Sequence, residues 1–310
     1  MKPTNLKSKI FLDSGDPAET REALLVLGFL DGQTTNPSLI AKNPATAGKK
    51  FSTPELLDFY KGVVGEVSSL IPKGSVSIEV YADDKTTADE MLAQARQFWQ
   101  WIPNAHIKYP TTTEGLKAAE ISVKEGMRVN MTLVFSQSQA AAVYAATLGA
   151  KKGDAFLSPF VGRLDDRGEN GMDFIANVIR MYQGKPSPLT PLPEGEGSPV
   201  GDGHVEVLVA SVRSMEHFFK SIELGADIIT APLKILKEWA AASFPLPSSF
   251  AKASADKLGE GKGEGSKLKP IPYQEISLTK PWQEYNLDHE LTKKGIEKFA
   301  ADWNNLIDKS

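Results

Sequence analysis

Cysteine is absent from all 310 residues. That excludes disulfides, thiolate nucleophiles and cysteine-bound metal, and it suits a reducing compartment. Histidine is scarce: His106, His204, His217 and His289 are the four present. None has metal-ligand spacing to another, so each reads as an ordinary hydrogen-bonded or exposed side chain and no metal is expected. There is no excess of positive charge, with 35 Lys and Arg against 39 Asp and Glu and a net charge of −4. Nucleic acid and anionic membranes are therefore not expected partners, and any anionic ligand must be held by local cations. No apolar run approaches a membrane span. The leading MKPTNLKSKIFLDSGD has too short an apolar stretch for a signal peptide, so a cytoplasmic location is expected. Walker loops and dinucleotide glycine fingerprints are also missing, because the Gly-Glu-Gly runs have no strand before them and no helix after.

What is present is enough apolar content, 41%, for one large core. Eight short runs read as strands, over residues 9–14, 33–38, 75–81, 105–111, 128–135, 155–161, 205–212 and 226–231. Segments of helical periodicity separate them, over 17–30, 54–70, 87–101, 114–125, 136–148, 172–182, 214–224 and 233–242. Strict alternation of this kind predicts parallel β/α units, and eight of them predict a closed (β/α)8 TIM barrel, one α/β domain over residues 1–243. Two stretches break the pattern: 186–203 and 244–269 are rich in Pro, Gly, Ser and charge and read as related low-complexity inserts. Each follows a helix, which places its departure on the bottom of the barrel, away from the strand C-termini. Residues 270–310 form a C-terminal extension. Its helix, from Glu290 or Thr292 to about Ile307, carries Ile296, Phe299, Trp303 and Leu306 as an apolar stripe. The stripe predicts packing on the barrel wall or a second subunit, which leaves a homo-oligomer open; a lid over the top is the weaker expectation.

The polar outliers of these strands gather at their C-terminal ends. Lys108 is a lone amine among apolar neighbours in HIKYP. Desolvation disfavours the ammonium form and would free such a lysine to attack a carbonyl, although by itself the run reads as an edge-strand surface lysine. Asp13 ends the first strand, Thr35 and Asn36 the second, and Glu79 the third. Asn130 and Thr132 follow on the fifth, Ser158 and Arg163 on the sixth, Ser211 and Arg213 on the seventh. Singly each has a plain structural explanation: Asp13 can cap the next helix, Asn36 can make a turn before Pro37, and Thr132 can be a satisfied strand hydroxyl. Converging on one rim, they suit aldol chemistry on a phosphorylated ketose. Lysine forms an iminium, Glu79 and Thr132 handle water, and Asp13 takes a proton from the departing carbon's hydroxyl. Asn36 and Asn130 bond a polyol. Arg163 and Arg213, with Ser158 and Ser211, offer the donors a phosphate prefers. Asp165-Asp166-Arg167 reads as a solvated loop in which Asp165 could orient Arg163.

The runs FLDSGD, TTNPSLI, VSIEV, IKYPTTTEGLKAAE, VNMTLVFS, SPFVGR and VLVASVRS resemble those of transaldolases, in order and on the expected strands, over about 9–242. The resemblance implies a cofactor-free Schiff-base enzyme that moves a dihydroxyacetone unit between sugar phosphates in the non-oxidative pentose phosphate pathway. It further implies that Lys108 is the Schiff-base lysine, that Glu79 and Thr132 manage the catalytic water, that Asp13 is the acid/base, and that the two arginines hold phosphate. Tyr109-Pro110 departs from the small or aliphatic residues more usual there. Fructose-6-phosphate aldolases, which resemble transaldolases, typically carry glutamine in place of Glu79 and tyrosine in place of Phe160, so both positions look like the transferase. The alternatives are an aldolase that releases free dihydroxyacetone and a catalytically silent sugar-phosphate binder.

Overall fold

The computed structural model describes residues 2–184, 203–246 and 268–308. Both expected inserts fall almost wholly outside the described residues. Eight parallel strands close into a barrel in chain order: β1 (Lys9–Asp13), β2 (Gly32–Thr34), β3 (Ser75–Glu79), β4 (Ala105–Pro110), β5 (Val129–Val134), β6 (Ala155–Pro159), β7 (Val205–Val209) and β8 (Ile228–Ala231), with β8 returning to β1. Around it lie α1 (Pro17–Leu27), α2 (Pro37–Ala41), α3 (Thr53–Leu70), α4 (Ala88–Trp99), α5 (Thr113–Lys124), α6 (Gln137–Ala146), α7 (Val161–Asp165), α8 (Gly171–Gln183), α9 (Met215–Glu223) and α10 (Leu233–Ala241). The tail adds α11 (Glu290–Asn304). Side-chain caps fix where several of these begin: Asp16 before α1, and reciprocal capping boxes from Ser52 to Glu55 and from Thr87 to Glu90 at α3 and α4.

The side-chain parity of the strands is what builds the site. Strand residues alternate between faces. In β4 the apolar members Ala105, Ile107 and Tyr109 pack into the core, while His106 and Lys108 share the other face. Hydrogen bonds that skip a strand show that this second face is the barrel interior. Lys9 of β1 pairs with Glu206 of β7, Asn130 of β5 donates to Ser77 of β3 at 3.0 Å, and Thr34 of β2 meets Thr230 of β8 at 2.7 Å. The interior is thus polar, and the main core lies between strands and helices. Tyr109, the departure noted above, faces that outer core. Its hydroxyl meets Ser122 of α5 at 2.7 Å, so its bulk is absorbed away from Lys108.

The structure differs from the sequence expectation at several strand ends, and three of them bear on the site. β2 stops at Thr34, and Asn36 instead caps α2, its Oδ1 accepting from the Leu39 amide at 2.9 Å. β6 stops at Pro159, and residues 161–165, expected as strand end and loop, form α7. β7 stops at Val209, so Ser211 lies beyond it with φ +57°.

The tail also departs from the expected wall packing. Its extended part straps the barrel's side, with Trp282 Nε1 donating to Glu120 at 2.8 Å and Gln137 donating to the Pro272 carbonyl at 2.9 Å. α11 then crosses the upper rim, against α2 and the end of β5. Ser38 of α2 bonds Asp302, Asn304 donates to the Tyr81 hydroxyl at 3.0 Å, and Trp303 packs edge-on to Tyr60. The helix covers the chemical face because its apolar stripe finds its partners there rather than on the wall.

Candidate active site

Lys108 and Glu79 occupy neighbouring strands at matched register, and the lysine Nζ lies 2.9 Å from Glu79 Oε2. Both are nearly inaccessible, at 2% and 4% exposure. Burial raises the Glu79 carboxyl above its ordinary range, and the Lys108 charge opposes that rise. The contact is a charge pairing without regular hydrogen-bond geometry, since Oε2 has no hydrogen-bond partner. Thr132 Oγ1, also buried, has none either. Two such orphans at one site are unusual, because buried polar atoms are nearly always paired. Lys108 Nζ also reaches the Thr35 carbonyl at 3.4 Å and sits 5.8 Å from the Phe160 ring centroid.

Asp13 ends β1 at the edge of a cavity of about 460 Å³, which leaves it partly open to solvent although protein surrounds it. Burial raises its carboxyl, against the lowering influence of Lys108, a 2.8 Å hydrogen bond from Thr34 and the Lys42 charge. The same cavity is lined by Lys42, Asn43, Ser211 and Arg213. Lys108, Glu79 and Asp13 therefore act on one another electrostatically.

Other expected contacts are arranged differently. Ser158 does not join the arginines. Its hydroxyl donates to Asn130 Oδ1 at 2.7 Å, making a chain with Ser77 deep in the barrel. The Thr35 hydroxyl is consumed structurally. It donates to the Ser77 carbonyl at 2.7 Å and accepts from Tyr60, which in turn accepts the Glu79 amide at 3.0 Å. The Asn36 carboxamide oxygen is likewise spent on its cap, which leaves the amide nitrogen as the end available to a ligand. Asp165 does not orient Arg163; it pairs with His217 at 2.6 Å and accepts the Gly171 amide. Asp166 is the residue that meets an arginine, and it meets Arg213.

Arg163 lies on α7 with its guanidinium beside two rings, 5.3 Å from the Phe160 centroid and 5.4 Å from that of Phe299 on α11. Burial pushes its guanidinium below the ordinary value, while the Glu79 charge pulls it up and the Arg213 charge pushes it further down. Gly162 lets the arginines converge, since a Cβ there would stand 2.5 Å from Arg213 Nε and 2.6 Å from the Ser211 carbonyl. Sequence reasoning missed Thr34, Lys42, Tyr60 and Phe299. Thr34 and Lys42 lie in or beside quoted motifs and were open to notice, but nothing in the sequence ties Tyr60 or Phe299 to the rim.

A buried lysine, two carboxylates raised by burial and two convergent arginines form a set suited to carbonyl chemistry on an anionic substrate. Comparison with known proteins agrees with that chemistry. The family model described as transaldolase/fructose-6-phosphate aldolase matches residues 10–310. A "probable transaldolase" of Dehalococcoides mccartyi is 38% identical over 298 residues, covering 96% of this chain and 99% of its own. One from Brucella ovis is 39% identical over 295 residues, with 95% and 96% coverage, and one from Methanococcus maripaludis 35% identical over 295, with 95% and 97%. The chain belongs to the transaldolase/fructose-6-phosphate aldolase family.

Proposed function

We propose that the protein is a transaldolase that interconverts sedoheptulose 7-phosphate and glyceraldehyde 3-phosphate with erythrose 4-phosphate and fructose 6-phosphate. It would serve the non-oxidative pentose phosphate pathway in the cytoplasm. The observation that carries this reading is the fully buried Lys108–Glu79 pair at 2.9 Å, within electrostatic reach of Asp13. Lys108 Nζ attacks the ketose C2 to give a carbinolamine. Loss of the C2 oxygen as water leaves an iminium, with Glu79, paired with Lys108, and Thr132, whose hydroxyl has no partner, handling that water and its protons. Asp13 takes the proton from the C4 hydroxyl, the C3–C4 bond breaks, its electron pair enters the iminium as an enamine, and an aldehyde departs. The enamine then attacks the acceptor aldehyde, Asp13 returns its proton, and water releases the new ketose. The lysine itself supplies the electron sink, so the sequence of steps calls for no metal or organic cofactor. The Asn130 and Asn36 amide nitrogens bond the polyol, with Ser158 holding the Asn130 carboxamide in place. Thr35 contributes through its carbonyl, and Arg163, Arg213 and Ser211 take the phosphate.

Phe160 favours transfer over release of free dihydroxyacetone, because its ring stands by Lys108 and has no hydroxyl to deliver a proton to the enamine. The test is borohydride reduction with fructose 6-phosphate, followed by peptide mass analysis. An adduct of dihydroxyacetone mass on Lys108 is expected, and its absence from folded protein would reduce the molecule to a silent binder. In a separate incubation without borohydride, erythrose 4-phosphate added with fructose 6-phosphate should yield sedoheptulose 7-phosphate. Free dihydroxyacetone as the main product would instead mark an aldolase.

A further inference from the structure

The C-terminal helix does more at the rim than cover it. Phe299 and Phe160, one from α11 and one from the junction of β6 and α7, both flank the Arg163 guanidinium, with ring centroids at 5.4 and 5.3 Å. Gly295, one turn earlier on α11, leaves room for that arginine. A Cβ there would stand 2.8 Å from Arg163 Nη1 and 2.6 Å from Leu133 Cδ2. Leu133 is itself held out of the ordinary backbone region, with φ +60°, at the irregularity where β5 shifts register after Thr132. Its carbonyl accepts from Thr292 of α11 at 2.9 Å, and Thr292 is fixed by Gln139 at 2.9 Å. A left-handed leucine is costly and persists only when its surroundings enforce it. α11 thus anchors by Thr292 to the backbone next to Thr132 and presents Gly295 and Phe299 to Arg163.

We propose that Gly295 and Phe299 are positioning residues that hold Arg163 aimed at the substrate phosphate, so that α11 sets the preference for phosphorylated over unphosphorylated ketoses. A guanidinium packed against two rings and a helix backbone loses little freedom when it takes up an oxyanion. The inference rests on the phosphate role given to Arg163 above.

The experiment compares the full-length protein with Phe299→Leu, Phe299→Tyr and Gly295→Ala, using fructose 6-phosphate and fructose as donors. Loss of one flanking ring should raise KM for fructose 6-phosphate by about fivefold to tenfold in Phe299→Leu. For the unphosphorylated donor kcat/KM should change by less than about twofold, and Phe299→Tyr, which keeps the ring, should restore the native KM. Gly295→Ala should act in the same direction. In an Arg163→Lys background Phe299→Leu should add nothing, because it acts through the arginine. Equal losses on both donors, additive effects in the double variant, or an unchanged KM in Phe299→Leu would each overturn the proposal. Calorimetric titration with inorganic phosphate reads the same contact without turnover and should show the same weakening. If the wild-type protein formed no Lys108 adduct, the enzymatic reading would fall while the phosphate titration still judged this one. If the adduct formed and neither readout moved, only the positioning role would fall.

Discussion

His106 and Lys108 stand two residues apart on one strand, facing the same interior, yet they belong to opposite ends of the barrel and obey opposite rules. At the lower end the groups around His106 have partners. His106 accepts from the Ser75 hydroxyl at 2.7 Å, donates to the Gly153 carbonyl at 2.9 Å and stacks on Phe156 at 4.1 Å. Glu206 is neutralised by Lys9 at 2.7 Å, and Asp31 accepts from both Lys2 and the Ile10 amide. At the upper end Glu79 meets the Lys108 charge at 2.9 Å, Thr132 Oγ1 has no hydrogen-bond partner among the described residues, and Asp13 is raised by burial that its neighbours only partly offset. The lower groups are tied into the fold by several bonds each, whereas the upper ones are held by fewer, as suits groups that must meet a ligand.

The sharpest way to break this contrast is Lys108→Ala, which should abolish both turnover and borohydride trapping. Lys108→Arg should fail equally, because a guanidinium stays protonated; turnover surviving in either would remove the upper end's claim to chemistry. Asp13→Asn should lower kcat by roughly 10²–10⁴-fold without lowering the melting temperature. Its carboxyl is raised in the fold, so ionisation costs stability as pH rises past the ordinary carboxylate value, and the amide escapes that cost. A clear drop in melting temperature would mean that Asp13 is a structural group after all. Arg213→Ala should chiefly raise KM for phosphorylated donors, by about tenfold or more; an unchanged KM would remove that residue from the phosphate site.

At the lower end the signs reverse. His106→Ala should destabilise by about 2–4 kcal/mol, from two unanswered partners and a lost ring contact, with kcat of the folded protein near native. The wild-type histidine adds a pH dependence. Burial lowers it to about 3, so its contribution is whole above pH 6.5 and is lost as pH falls toward 3. Denaturant melts across that window should show a loss of roughly 1 kcal/mol per pH unit that is missing from His106→Ala. The smallest effect belongs to the inserts. Gly184 and Gly203, which flank the first, lie at the lower side before β7, and the second departs from the same side beyond α10 but rejoins at Lys269, beside Glu169 before α8. Deleting the first should leave kcat within about twofold, because the described residues on either side of it lie at the lower end. The second needs a linker long enough to reach Lys269, and a folded deletion with a large loss of kcat would revise that separation.

The sequence by itself determined the eight alternating units, because hydrophobic periodicity is local and repeats. Local contrast also marked the polar residues that gather at the rim, since a polar residue near the end of an apolar run stands out against its neighbours. Tertiary structure decided which of those residues stay available. Thr35 and Asn36 look alike in TTNPSLI, but one hydroxyl is taken by Ser77 and Tyr60 and one carboxamide oxygen by a helix cap. Ser158 and Ser211 look equivalent, yet one is locked to Asn130 and the other lines the open cavity beside Arg213. α11 read as a stripe in need of a surface, and only the packed barrel placed that surface over Arg163 and Leu133. Periodicity records which face of an element is apolar, but not what that face will meet, because contacts between residues distant in sequence leave no local trace.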